Sequence, residues 1–130
     1  MLNVKEQHTR EPVLEDNSYA LFQKGMGLLE DKHPAQAALV LEKVKVVHPE
    51  KASIREALGR AYFNHGQYRL AKEEFLKAVE IEPTNDYAHF GLGLSFKKMG
   101  DRRMARRHLK LAAIMKPDDK YISALVGLSG

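Results

Sequence analysis

The sequence predicts an all-α protein in which helix pairs are laid in a row. Three observations point there. One step of 34 residues recurs: Gly25, Gly59, Gly93 and Gly127 keep it, as do Ala37, Ala71 and Ala105, and Pro49, Pro83 and Pro117. Apolar residues inside each unit fall at helical spacing. Helix breakers separate them at the same place each time. Several independent classes of position share one period, which coincidence explains poorly.

Residues 1–17 show weak patterning and are expected to be flexible, with Val13 and Leu14 able to pack onto the first helix. The first unit, 18–51, carries Lys24-Gly25, Leu28, Ala37, Leu41, Val44 and Pro49, with Lys32 where the other units place a turn glycine. In the second, 52–85, Leu58, Ala61, Tyr62 and His65 fall at i, i+3, i+4 and i+7. "NHGQY" breaks that helix, and Leu70, Ala71, Phe75, Ala78 and Val79 form the stripe of the next. Pro83 ends it, since proline lacks a donor and disfavours helix just before itself. The third, 86–119, repeats the pattern with Leu92-Gly93, Phe96, Gly100, Ala105, Leu109, Ala112 and Pro117. The tail keeps the step through Val126-Gly127, and its helix, about 119–129, is expected to cap the row. Asn17-Ser18, Thr84-Asn85-Asp86 and Asp118-Asp119 supply capping side chains and negative charge where helices should start.

A glycine inside a helix costs about 1 kcal/mol of propensity relative to alanine. Its recurrence at Gly59 and Gly93 therefore calls for a packing reason: a small residue admits a neighbouring helix. Ala71 does the same from the facing helix, with Tyr62 and Phe75 filling the space between.

These residues resemble the tetratricopeptide repeat, a helix–turn–helix unit of 34 residues. The second unit matches most fully, through Leu58-Gly59, Tyr62, Gly66, Tyr68, Ala71, Phe75, Ala78 and Pro83. The resemblance implies a right-handed superhelical solenoid of three such repeats plus a capping helix, with a concave groove lined by the first helix of each pair. It places Tyr19, Phe22 and Met26 in that groove, with Gln23, Leu29 and Glu30. From the second repeat it adds Arg60, Phe63 and Asn64, with Ser53, Glu56 and Ala57. From the third it adds Tyr87, Phe90, Leu94, Lys97 and Lys98, with Gly91 opening room for an incoming side chain. Family members that grip the acidic C-termini of heat-shock chaperones use two lysines, two asparagines and an arginine. The matching positions here hold Phe22, Met26, Ala57, Tyr87 and Gly91, so that clamp is absent. A partner held here would be held by apolar contacts, with Arg60, Lys97 and Lys98 favouring some acidity.

The net charge of +4 is unevenly spread. Residues 1–96 carry a net −2, whereas residues 97–116 carry +7. On the second helix of the third unit, Arg103, Arg106, Arg107 and Lys110 share one outward face, with Arg102 at the turn. Such a face suits an acidic protein or anionic surface. Nucleic acid has less support, because no aromatic residue interleaves the arginines.

Catalytic, cofactor and metal signatures are missing from the sequence. The six histidines are scattered, none at i, i+4 with another, and no HExxH occurs. "FGLGLSF" has Phe96 where a dinucleotide loop needs its third glycine, and no strand precedes it. Glu73-Glu74 reads as a solvated helix face and Asp118-Asp119 as a helix start. There is no cysteine, which is compatible with a cytoplasmic location, and no apolar stretch long enough for a secretion signal or a membrane span. The expectation is a non-enzymatic adaptor that holds a peptide or helix of another protein in its groove. The alternatives are self-assembly, with the apolar tail helix or the groove itself as interface, and binding of an acidic partner or nucleic acid through the arginine face.

Overall fold

The computed structural model describes residues 17–129. Helix α1 covers 17–30, and there follow α2 (Pro34–Val47), α3 (Ala52–Asn64), α4 (Tyr68–Ile81), α5 (Asp86–Lys98), α6 (Arg102–Met115) and α7 (Asp119–Ser129). No strand occurs among the described residues. The segment expected to be flexible lies outside them except for Asn17, and so do Val13 and Leu14, expected to pack onto the first helix. Asn17 and Ser18, expected as caps, are already helical.

Each helix from α2 onward packs against the next, and α3 also touches α5. That is a stack of helix pairs, an α-helical repeat solenoid. Three apolar clusters follow one another along it. The first joins Leu29, Ala37, Leu41 and Leu58. The second joins Ala71, Phe75, Ala78 and Leu92. The third joins Ala105, Leu109 and Leu128. The alanines at the 34-residue step, Ala37, Ala71 and Ala105, are fully buried.

The recurring glycines face what the step predicts, with one refinement. A Cβ on Gly59 would lie 2.8 Å from the Phe75 ring, on Gly25 2.7 Å from Leu41, and on Gly93 2.8 Å from Leu109. The intruder is chiefly a large side chain of the facing helix, and only at Gly93 does backbone, the Ala105 carbonyl at 3.1 Å, come close as well. A Cβ on Gly127 would meet nothing within 4 Å among the described residues.

The three turns inside the helix pairs are built alike. Lys32, Gly66 and Gly100 all adopt positive φ, at 62°, 79° and 87°. Each is closed by the same two backbone bonds, for example Gly66 N–H to the Phe63 carbonyl at 3.0 Å and Gln67 N–H to that of Tyr62 at 2.8 Å. Lysine at the first turn therefore leaves the geometry unchanged and holds a conformation that costs a residue with a Cβ about 1–2 kcal/mol.

Two polar links that spacing could not reveal tie the pairs together. Glu74 is only 8% exposed, which corrects the reading of Glu73-Glu74 as solvated; Glu73 alone is exposed. Its carboxylate accepts from Lys45 Nζ at 3.0 Å and from Arg55 Nη1 at 3.1 Å, and Lys45 also meets Glu42 at 2.9 Å. The Tyr62 hydroxyl donates to Glu42 in the same ladder. In the next unit, His89 and His108 meet between α5 and α6.

Candidate functional site

Helices α1, α3 and α5 present their inner faces to a shared trough. Its main cavity, about 530 Å³, is lined by Phe22 and Met26 of α1, by Glu56, Ala57 and Arg60 of α3, by Tyr87 of α5 and by Lys120 of α7. A smaller one of about 120 Å³ shares Arg60 and Tyr87 with it and adds Phe63, Asn64, Phe90 and Leu94. A third, about 440 Å³, extends past Tyr19 and Phe22 toward His48 and Lys51. Apart from Leu29, the large aromatic and aliphatic residues expected in the groove line these adjoining cavities.

The aromatic strip is organised by edge and tilted ring contacts. Tyr87 lies 6.4 Å from Phe75 and 6.1 Å from Phe90, and Phe90 lies 4.7 Å from Tyr121. Aromatic pairs at such separations contribute beyond their buried area and hold rings in one orientation. Phe90 therefore faces two ways, toward the trough and toward α7.

Four of the expected groove positions carry further detail. Gly91 lines the smaller cavity beside Tyr87 and Phe90, and the chain's own Phe75 ring takes the place of its Cβ, with Cζ 2.4 Å from that point. Leu29 is buried in the first cluster. Lys97 is exposed and Lys98 lies over the Tyr68 ring at 5.6 Å; neither lines the three cavities.

The cations beside the trough are instead Arg60 and Lys120. Arg60 Nη2 stands 3.9 Å from Glu30 Oε1. Lys120 Nζ lies 5.9 Å from the centres of both Tyr87 and Phe90 and 5.8 Å from that of Tyr121, a cation–π arrangement on three rings. Lys120 matches Asp86 in the 34-residue step, and Asp86 is not among the expected groove positions. Tyr121 stands 34 residues after Tyr87, so one more step would have carried the groove onto α7.

Glu56 brings a carboxyl into the trough. Burial pushes its pKa up, against the lowering effect of the hydrogen bond it accepts from Asn85 Nδ2 at 2.7 Å. The other end of Asn85 caps α5, its Oδ1 accepting from Ala88 N–H at 2.9 Å, so one side chain starts α5 and fixes it to α3. Tyr121 fastens α7 to the start of α5, its hydroxyl donating to Asp86 Oδ2 at 2.6 Å. Burial and this bond hold the Tyr121 phenol well above its usual range. Burial likewise raises Tyr87.

The basic face of α6 is exposed at Arg103, Arg106, Arg107 and Lys110. Arg102 is different: its guanidinium donates to the Leu128 carbonyl and ties the end of α7 to the start of α6. Asp101 caps α6 through Met104 N–H at 3.1 Å. Among the described residues no group of three or more His, Asp or Glu side chains could hold a metal ion. Nor is any helix there long and apolar enough to cross a membrane.

Comparison with known proteins gives one picture. The family model for the TPR repeat matches residues 59–100. Superkiller complex protein 3 of Mus musculus is 30% identical over 110 residues, covering 85% of this chain and 7% of that protein. Cellulose synthase 1 operon protein C of Komagataeibacter xylinus is 30% identical over 103 residues, covering 74% and 8%. The chain thus spans less than a tenth of the length of these relatives. Among solved structures, the first TPR of Spaghetti (RPAP3) bound to the HSP90 peptide SRMEEVD superposes with a TM-score of 0.83 at 16% identity, over 88% of this chain and 91% of that one. MamA gives a TM-score of 0.82 at 21% identity, over 91% and 71%. With the 34-residue step, the glycine and alanine seams and three like turns, the chain belongs to the tetratricopeptide repeat family.

Proposed function

We propose that this chain is a non-catalytic adaptor that holds a peptide or a helix of another protein along the trough of α1, α3 and α5. The carrying observation is the contiguous apolar lining from Phe22 and Met26 through Tyr87 to Phe90 and Leu94, open to a ligand and flanked by cations on two helices. Desolvating that strip supplies affinity, while Arg60 and Lys120 set orientation and favour an acidic residue in the ligand. The fold is one of protein–protein interaction, and a neighbour of the same shape is bound to a peptide. We place the domain at 18–130, with repeats at 18–51, 52–85 and 86–119, and its work in the cytoplasm.

The test is capture of partners from cell extract by the tagged chain, quantified by mass spectrometry against two variants. Tyr87→Ala with Phe90→Ala removes the strip; because Phe90 also seats α7, circular dichroism must accompany it. Arg60→Glu with Lys120→Glu reverses the two cations and leaves the apolar clusters alone. Specific partners should be lost from both. Partners retained by both folded variants would remove the trough from consideration.

Self-assembly is the second reading. Ile122 and Val126, one helical turn apart on α7, are 42% and 64% exposed, and Gly127 beside them meets nothing. Light scattering at rising concentration checks it: a monomer throughout dismisses it.

A further inference from the structure

The basic face of α6 is not needed by the fold. Residues 34 positions earlier occupy the same places on α4, and those 68 earlier the same places on α2. Where α6 has Arg106, Arg107 and Lys110, α4 has Lys72, Glu73 and Leu76. Helix α2 has Ala38, Leu39 and Glu42 at those places. All three helices form with the same length and the same buried alanine, so the scaffold accepts any of these residues.

The charge on α6 is also unbalanced. Arg103, Arg106, Arg107 and Lys110 form no ion pair among the described residues. The nearest acid in sequence, Asp101, is occupied in capping the helix. Like charges three and four residues apart on one helix repel one another. A stripe at i, i+4, i+7 and i+11 runs Arg103, Arg107, Lys110 and then Ile114, which is 78% exposed. It spans about 16 Å at 1.5 Å per residue.

We propose that α6 docks an acidic amphipathic segment of a partner protein, lying along this stripe with carboxylates on Arg103, Arg107 and Lys110 and an apolar side chain on Ile114. This site is separate from the trough. Arginine forks bind carboxylates in a planar, two-point geometry. The exposed isoleucine at the end of the line fits a protein side chain and has no use against a phosphate backbone. Exposed Glu73 and Glu80 stand on α4 at the places of Arg107 and Ile114. With Arg69 and Lys72 beside them, that face of α4 offers no net positive charge to a duplex or an anionic bilayer laid across both helices, whereas a narrow segment along α6 meets only its cations.

The experiment titrates the full chain into a labelled synthetic 16-residue helix-forming peptide with glutamates and leucines at i, i+4 spacing, followed by fluorescence anisotropy at low and high salt. The same titration is run with a 20-base-pair DNA duplex and with phosphatidylserine vesicles. The peptide should bind, weaken with salt, and lose about tenfold or more in affinity with Arg103→Glu and Arg107→Glu combined, whose exposed positions leave the helix signal unchanged. Ile114→Asp should weaken it further, and Tyr87→Ala with Phe90→Ala should not matter, which separates this site from the trough. Equal peptide affinity in the arginine variant overturns the proposal. So does tighter, arginine-dependent binding of the duplex or of the vesicles.

Discussion

His89 and His108 face each other across α5 and α6, Nδ1 to Nδ1, at 3.1 Å. His89 Nε2 lies 2.8 Å from the Pro83 carbonyl, which can only accept, so Nε2 carries the proton and Nδ1 accepts from His108. One repeat earlier the same places hold Arg55 and Glu74, also 3.1 Å apart, and Arg55 Nε donates to the Pro49 carbonyl at 2.9 Å. In the first repeat the places hold Leu21 and Val40. One position in the scaffold thus carries two apolar residues, an ion pair or a pair of imidazoles.

The imidazole pair makes stability depend on pH. Burial, then the facing His89 and nearby Arg107, lower the His108 pKa from 6.5 to about 4. Between those values the unfolded chain binds the extra proton and the folded chain does not. Stability is therefore full above pH 6.5 and falls as pH drops toward 4, by roughly 3 kcal/mol. Urea midpoints at pH 7 and pH 4.5 measure it. Replacing the pair with its counterpart, His89→Arg with His108→Glu, should remove the histidine contribution in that window. An unchanged pH dependence in that variant would refute the assignment.

Gly91 and Gly127 should respond oppositely to alanine. The Phe75 ring is 2% exposed and stands where a Cβ of either Gly59 or Gly91 would fall. Gly91→Ala should destabilise by roughly 2–3 kcal/mol through overpacking. Gly127→Ala meets open space inside a helix and should stabilise by about 0.5–1 kcal/mol. Thermal melts of the two variants suffice.

Lys32 should be improvable. Glycine relieves its left-handed conformation but frees the unfolded chain, so Lys32→Gly should gain a net ~0.5 kcal/mol. Gly66→Ala, at the same place in the next turn, should lose about 1 kcal/mol. Denaturant titration reads both.

The peptide SRMEEVD, bound by the RPAP3 neighbour, should not bind here. Phe22, Met26, Ala57, Tyr87 and Gly91 offer no cation to its carboxylates, and the Gly91 position lies under Phe75. Anisotropy should show no saturation below about 1 mM, and micromolar binding would refute the apolar reading of the trough.

Much of the fold was legible because a repeat writes each constraint several times. Gly25, Gly59 and Gly93 could be matched with Leu41, Phe75 and Leu109 before any helix was placed, and each of those contacts is present. Phe22, Met26, Arg60 and Tyr87, which the family resemblance puts in a groove, line one cavity. The misses have a common origin. The Phe75 ring that stands in place of a Gly91 Cβ comes from the preceding repeat, so spacing within one unit does not reveal it. Lys120 was overlooked because its match one step earlier, Asp86, is not among the expected groove positions. Glu74 looked solvated because its partners, Lys45 and Arg55, sit on two other helices.

The sequence by itself determined the helix pairs, their seams and their turns. Those depend on residues at fixed separations, where backbone propensity and side-chain size act locally and repeat. Only the tertiary structure decided which charges are buried and paired, that two distant histidines share a proton-bearing contact, and which cations border the trough. Those contacts lie across helices, where the geometry of stacking, and not spacing along the chain, sets who meets whom.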